Sequence, residues 1–269
     1  MSATERSAEL AEYARITVGT YALLARRSGG TVTESGGLVL ASGPDPAATI
    51  LNIAFRVDPG VPANDVLDRA QAHYEPGGFR FAIASSAHRD ADIDLAAAAG
   101  GWERVILLPA MVCRARLPDR PASPGTALRP ADPTRDQDAF GMIAAVCFSE
   151  DDEETAAYRI VFRSADLFRD GCAAFIASVD GEDVAGAWVS VIGAAATVGW
   201  VGTLPQFRRR GLGDLVTRAA TNAAFEMSAR LATLQASPSG EPVYARMGYE
   251  TISSETLWAP RSTVGPRET

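Results

Sequence analysis

Val201-Gly-Thr-Leu-Pro-Gln-Phe-Arg-Arg-Arg-Gly-Leu-Gly-Asp214 is the most informative stretch of this 269-residue chain. It ends an apolar, β-branched run and opens a segment in which Leu212, Leu215, Val216, Ala219, Ala223 and Met227 recur at helical spacing. The order is strand, arginine- and glycine-bearing loop, amphipathic helix. Such a layout makes an anion site, because the N–H groups of a helix's first turn have no intrahelical acceptor and the helix dipole adds to their positive end. Gly211 and Gly213 present no side chain to hold a phosphate away from those groups. Arg208, Arg209 and Arg210 add positive charge. The glycine spacing fits neither a P-loop nor a dinucleotide fingerprint.

Upstream, Val184 to Leu204 carries no charge and is long enough to cross a membrane as a helix. Its β-branched content, the Gly193 interruption and the flanking turn Asp180-Gly-Glu-Asp183 instead predict two buried strands in a hairpin. A strand over Cys172 to Val179 joins Val184 to Ile192 through Asp180-Gly181, and Ala195 to Leu204 is a third. Before them come a strand at Thr126 to Arg129, a helix at Gln137 to Cys147, and a second helix opened by Glu150-Asp-Asp-Glu-Glu154. After the long helix come a strand at Leu231 to Ala236, a short helix at Pro242 to Arg246, and a terminal strand or hairpin at Tyr249 to Trp258. The order βααβββαβαβ predicts an α/β half-protein with a mixed sheet.

Pro118-Asp-Arg-Pro-Ala-Ser-Pro-Gly125 spaces its prolines three apart and has little to bury, so it reads as a stiff, solvent-facing boundary between two halves. The N-terminal half repeats a weaker version of the same end. Ile50 to Val57, Phe79 to Ala84 and Trp102 to Val112 read as strands, with helices at Ala63 to Tyr74 and Asp90 to Ala99. Val57-Asp58-Pro59 stands where Thr203-Leu204-Pro205 stands, and Gly101-Trp102-Glu103 mirrors Gly248-Tyr249-Glu250, which suggests a duplicated domain.

A net charge of −8 argues against sequence-independent nucleic-acid binding and mildly favours cationic substrates. All 25 basic residues are arginine, so no catalytic lysine is available. Cys113, Cys147 and Cys172 are widely spaced, and His73 and His88 have no partner at ligand spacing, so neither a disulfide framework nor a metal site is expected. The polar, acidic start from Met1 to Glu12 lacks the order of a signal peptide, which leaves a cytoplasmic expectation with no membrane partner.

Arg208-Arg-Arg-Gly211-Leu-Gly213 resembles the R/Q-x-x-G-x-G/A signature of the GNAT (Gcn5-related) N-acetyltransferases. Downstream, Leu234-Gln-Ala-Ser237-Pro-Ser-Gly240-Glu-Pro-Val-Tyr244-Ala-Arg-Met-Gly248-Tyr249 is similar to that family's second signature. The resemblance covers about Thr126 to Pro260, and the tandem layout resembles two-domain members with a degenerate first half. It implies an α/β fold (α+β in layered terms) of two GNAT-like domains, each a mixed central sheet flanked by helices, over 1–117 and 126–269 around a linker at 118–125. It also implies acetyl-CoA as cosubstrate, with no metal. Val201, Gly202 and Thr203 would pair with the pantetheine arm as an added strand. One of their N–H groups would polarise the thioester carbonyl. Arg208, Arg209, Arg210, Gly211, Leu212, Gly213 and Asp214 would surround the pyrophosphate, and Tyr244 would protonate the departing thiolate. Ser237 would orient the tyrosine or the coenzyme, or cap the short helix.

Many members of the family carry a glutamate on the strand that here spans Ala195 to Leu204, to deprotonate the amine; this strand has no acidic residue. The base is therefore unassigned, and Glu150 to Glu154 reads first as a solvated helix start. In the N-terminal half, Gly-Val-Pro-Ala-Asn-Asp follows Pro59 and Ala97 replaces the tyrosine, so that half is expected to bind no CoA. Its expected work is to complete a shared sheet or to wall the acceptor pocket. The expected activity is direct acetyl transfer to a small-molecule or peptide amine, by a monomer or homodimer. The alternatives are a catalytically inactive acyl-CoA-binding regulator and a tandem acyltransferase of mycothiol-type thiol-metabolite biosynthesis.

Overall fold

The computed structural model describes residues 2–261; Met1 and positions 262–269, the end of the expected C-terminal unit, lie outside the described residues. The first half comprises α1 (Ala3–Arg27), β1 (Thr31–Ser35), β2 (Leu38–Ser42), β3 (Ile53–Arg56), α2 (Ala63–Tyr74), β4 (Ala82–Ser86), α3 (Ala91–Ala99) and β5 (Trp102–Cys113). The second comprises β6 (Thr126–Pro130), α4 (Gln137–Phe148), α5 (Asp152–Val161), β7 (Cys172–Val179), β8 (Glu182–Ile192), β9 (Ala195–Thr203), α6 (Leu212–Glu226), β10 (Leu231–Gln235), α7 (Glu241–Met247) and β11 (Glu250–Pro260). The uncharged run is the antiparallel pair β8 and β9, with Ser190 opposite Thr197 and the turn at Gly193.

Sequence reasoning missed α1, β1 and β2. The helix starts with a capping box: Ser2 Oγ accepts the Glu5 N–H at 3.2 Å, and Glu5 accepts the Ser2 N–H at 2.6 Å. The β1–β2 turn uses Gly36 and Gly37, both at positive φ, as a tight hairpin requires.

All the strands join one sheet, in the order β1-β2-β3-β4-β11-β5-β10-β9-β8-β7-β6. The two halves exchange their last strands. β5 pairs with β10 of the second half, while β11 pairs with β4 of the first, and the two exchanged strands pair antiparallel with Glu255 opposite Leu108. Neither half's sheet is continuous without the other's strand.

On one face lie α2 and α3, packed with Ile83 and Trp258, and α6 and α7, packed with Met111 and Leu234. The opposite face carries α4 and α5 under Ile176 and Trp188, with α1 crossing the centre through Tyr13 and Ile16 against Ala110 and Val112. At roughly 25 cal/mol per Å² of apolar surface, these continuous cores are the main favourable term in joining the halves.

The acidic run behaves as a helix start. Asp151 caps α5 by accepting the Glu154 N–H at 2.9 Å, and Asp151 and Glu153 pair with Arg80 of the first half at 2.6 and 2.5 Å. Glu154 is buried and accepts the Glu150 N–H at 2.9 Å.

Candidate functional site

β9 and β10 run parallel only from Ala195 opposite Leu231 to Thr197 opposite Thr233. Beyond that point they fork. β9 stays with β8, placing Gly199 opposite Trp188 and Thr203 opposite Ala185, while β10 follows β5 with Gln235 opposite Ala110. The edge of Val198 to Thr203 that faces the fork therefore has no strand beside it, which is the geometry that accepts an extended chain. Val201, Gly202 and Thr203 all lie on this edge strand.

A bulge in β9 opposite Gly186 to Trp188 puts Trp200 at φ 52 and turns its ring onto Phe148, Tyr158 and Phe162, with centroids 5.1, 5.6 and 4.9 Å away. At Gly202 a Cβ would stand 2.9 Å from Cys147 Sγ, so only glycine lets α4 pack this close. Burial pushes the Cys147 thiol up, as it does for Cys113 and for Cys172, the last to about 11; none is poised as a thiolate.

After Thr203 the chain makes a single 3-10 turn at Pro205–Phe207, and Arg208 Nε donates back to the Thr203 carbonyl at 3.1 Å. Arg209 and Gly211 both adopt positive φ, 64 and 80, which swings the loop into the start of α6. Gly211 is the N-cap and has no side chain to cap with; the N–H groups of Leu212, Gly213 and Asp214 have no acceptor among the described residues. Arg208, Arg209 and Arg210 are exposed, and among the described residues none forms an ion pair. Arg210 lies 5.5 Å over the Phe207 ring. Free N–H groups, a positive helix end and guanidinium groups without a carboxylate partner are what a phosphate ester needs.

Asp214 sits in that first turn but is itself occupied, bonded to Arg218 and Arg120 at 3.0 Å each. Burial alone would raise its carboxyl; the two arginines outweigh burial and hold it below its ordinary value. Arg120 belongs to the proline-rich linker. That segment is exposed, yet it is anchored: Asn222 accepts the Leu117 N–H at 2.8 Å, and Arg218 donates to the Pro118 carbonyl at 3.1 Å. Nothing local in the sequence ties Arg120 to the loop, because the contact joins positions 94 residues apart.

Tyr244 lies on α7, half-buried, with its ring edge-on to Tyr249 at 6.1 Å. Its hydroxyl has no hydrogen-bond partner among the described residues, and burial pushes the phenol up to about 12. Ser237 Oγ accepts the Gly240 N–H at 3.1 Å and lies 3.2 Å from Ser239 Oγ, so it closes the turn into α7.

Residues 170–251 match the family model described as the acetyltransferase (GNAT) domain. Among solved structures, the chain is similar to a GCN5-related N-acetyltransferase from Kribbella flavida, with a TM-score of 0.72 and 23% identity over 93% of this chain and 95% of that one. A second, from Sphaerobacter thermophilus, gives a TM-score of 0.61 and 14% identity over 84% and 81%. A tandem GNAT protein from the clavulanic acid biosynthesis pathway gives 0.54 and 19% over 88% and 83%. At these identities the likeness establishes the fold. No curated protein matches the chain by sequence. Among the described residues no helix is long and apolar enough to cross a membrane.

Proposed function

We propose, from the premise that residues 170–251 form a GNAT acetyltransferase domain, that this chain transfers the acetyl group of acetyl-CoA to an amine. The observation that carries this reading is the forked edge of β9 leading straight into an uncapped helix start ringed by unpaired arginines. The pantetheine arm lies along Val201, Gly202 and Thr203 as an added strand, and the pyrophosphate takes the free N–H groups of Leu212, Gly213 and Asp214 with Arg208, Arg209 and Arg210 around it. Because Asp214 is already neutralised by Arg120 and Arg218, its side chain does not repel the phosphates.

The amine attacks the thioester carbon directly; an N–H on the β9 edge stabilises the oxyanion, and Tyr244 gives its proton to the leaving sulfur. A phenol held near 12 is fully protonated at neutral pH, as that task requires. The first half carries no comparable loop and serves as the scaffold that completes the sheet and walls the acceptor side.

The test is thioester turnover: CoA release from acetyl-CoA with a panel of primary amines, by wild type and Tyr244→Phe. Release well above the buffer rate, cut by about 100-fold or more in Y244F with acetyl-CoA affinity unchanged, supports transfer with Tyr244 as acid. Tight acetyl-CoA binding with no release above buffer for any amine would make the chain a coenzyme-binding module instead.

A further inference from the structure

The helices α2 and α3 both pack on one face of the first half's sheet, and α1 covers the other. That cover is incomplete. Val32, Ile106 and Leu108 stay half-buried, and a cavity of about 660 Å³ opens between α1 and the residues that follow β3 and β4. Val57 contributes from the end of β3, His88 and Arg89 from the end of β4. Open α/β sheets take ligands outside the carboxyl ends of their parallel strands, and the volume suits a small molecule.

The lining is divided by chemistry. Leu10, Ala14 and Val18 form an apolar wall at helical spacing along α1, faced by Val57, whose side chain is 44% exposed. Toward the start of α1 the lining turns polar. Arg6 Nη2 donates to the Ile252 carbonyl at 3.4 Å, while His88 Nδ1 lies 2.8 Å from Ser86 Oγ and 3.3 Å from Ser253 Oγ. Consecutive residues of β11 thus hold Arg6 and His88 at one place.

Among the described residues no carboxylate lines this cavity, although the chain carries a net charge of −8. Two of its cations are already paired: Arg15 with Glu12 at 2.6 Å and Arg89 with Asp90 at 3.1 Å. Arg6 forms no ion pair among the described residues and donates elsewhere to nothing but the Ile252 carbonyl. Nδ1 of His88, as acceptor for the two serine hydroxyls, leaves the ring proton on Nε2, which has no partner among the described residues. Burial and Arg89 hold that ring below its ordinary pKa against the pull of Asp90, so it is neutral at pH 7. One unpaired positive charge beside one neutral N–H donor matches a carboxylate; the second charge of a phosphate monoester would find no counterpart.

We propose that this cavity binds a small carboxylate with an apolar tail. The carboxylate accepts from the Arg6 guanidinium and from His88 Nε2, and the tail lies along Leu10, Ala14 and Val18 against Val57. The site belongs to the first half and stands apart from the fork, so it does not depend on the acetyltransferase reading. It gives the half that lacks the phosphate loop a ligand of its own.

The test is calorimetric titration of octanoate, with octan-1-ol as the uncharged control, in the absence and presence of excess acetyl-CoA. One octanoate per chain is expected, at an affinity that acetyl-CoA leaves unchanged. Octan-1-ol should bind about 10-fold or more weakly than octanoate, and Arg6→Ala should remove most of that difference by weakening octanoate alone. Ala11→Trp places an indole in the cavity from an exposed position of α1 and should abolish binding of both. Absence of octanoate binding at millimolar concentration overturns the proposal, as does equal affinity for octanoate and octan-1-ol. Octanoate binding that survives Ala11→Trp, or that acetyl-CoA displaces, puts the ligand elsewhere and overturns it too. Arg6 is exposed and pairs with no carboxylate, so Arg6→Ala keeps the test decisive should Ala11→Trp fail to fold. None of these outcomes bears on transfer at the fork.

Discussion

The chain builds the same parallel-strand junction twice and spends its arginines differently in each. In the first half β3 and β4 pair from Ile53 opposite Ala82 to Phe55 opposite Ala84, and the next residue is Arg56. Its guanidinium is 3% exposed and bonded to Asp90 at 2.8 Å, to Asp92 at 2.6 Å and to the carbonyls of Val61 and Arg89. In the second half the arginines that follow β9 are exposed and have no carboxylate among the described residues. A cation already neutralised by its own fold cannot serve a ligand, so the first junction is stapled shut, whereas the second keeps cations without a carboxylate partner. In the first half the space beyond the junction is filled by an ion-pair network.

Breaking the staple should give the largest effect. Arg56→Ala leaves buried Asp90 with Arg89 as its one remaining cation and should cost about 3 kcal/mol in denaturant unfolding, with acetyl-CoA affinity unchanged. A parallel fall in affinity would show that the halves do not divide the work in this way.

Glu255, buried on β11 between β4 and β5 and bonded to Gln235 of β10, provides a pH test of the exchanged strands that join the two halves. Its carboxyl is raised from 4.5 to about 7 in the folded chain, so between those values the folded state binds more protons than the unfolded one. Its contribution is fully present below about 4.5 and is lost as pH rises through about 7, after which the penalty is constant. E255Q should therefore match wild type in acid and be more stable by up to about 3 kcal/mol near pH 8, measured by urea unfolding at each pH. Equal stability at both pH values would mean that the carboxyl is not raised.

The smallest effect belongs to Arg120, whose side chain is half exposed. Arg120→Ala should weaken acetyl-CoA binding by about 3- to 10-fold, more at low salt, and change stability by no more than about 0.5 kcal/mol. No change in affinity would confine the linker to a spacer.

The loop, α6 and α7 were legible because their determinants are contiguous: glycines at 211 and 248, where φ is positive, and an apolar stripe along α6. The helix α1 was not, although Ser2 and Glu5 form a capping box. Its buried face is diluted by Thr17 and Thr20, and Thr20 bonds to the sheet hydroxyls of Ser190 and Thr197 rather than presenting a leucine. β1 is mostly exposed and reads as polar chain. Arg120 with Asp214, and Tyr21 with Gln235 and Glu255, escaped for a different reason: each contact joins distant segments, and the last depends on a strand exchange that no local pattern announces.

The central claim is that the second junction alone holds the coenzyme, and calorimetric titration of acetyl-CoA into wild type and a Gly211→Glu, Gly213→Glu double variant tests it most directly. The account predicts one site per wild-type chain and a loss of at least about 100-fold in the variant, roughly 2.7 kcal/mol, because two carboxylates then occupy the uncapped helix start. Absence of binding by wild type, or equal binding by the variant, would contradict it.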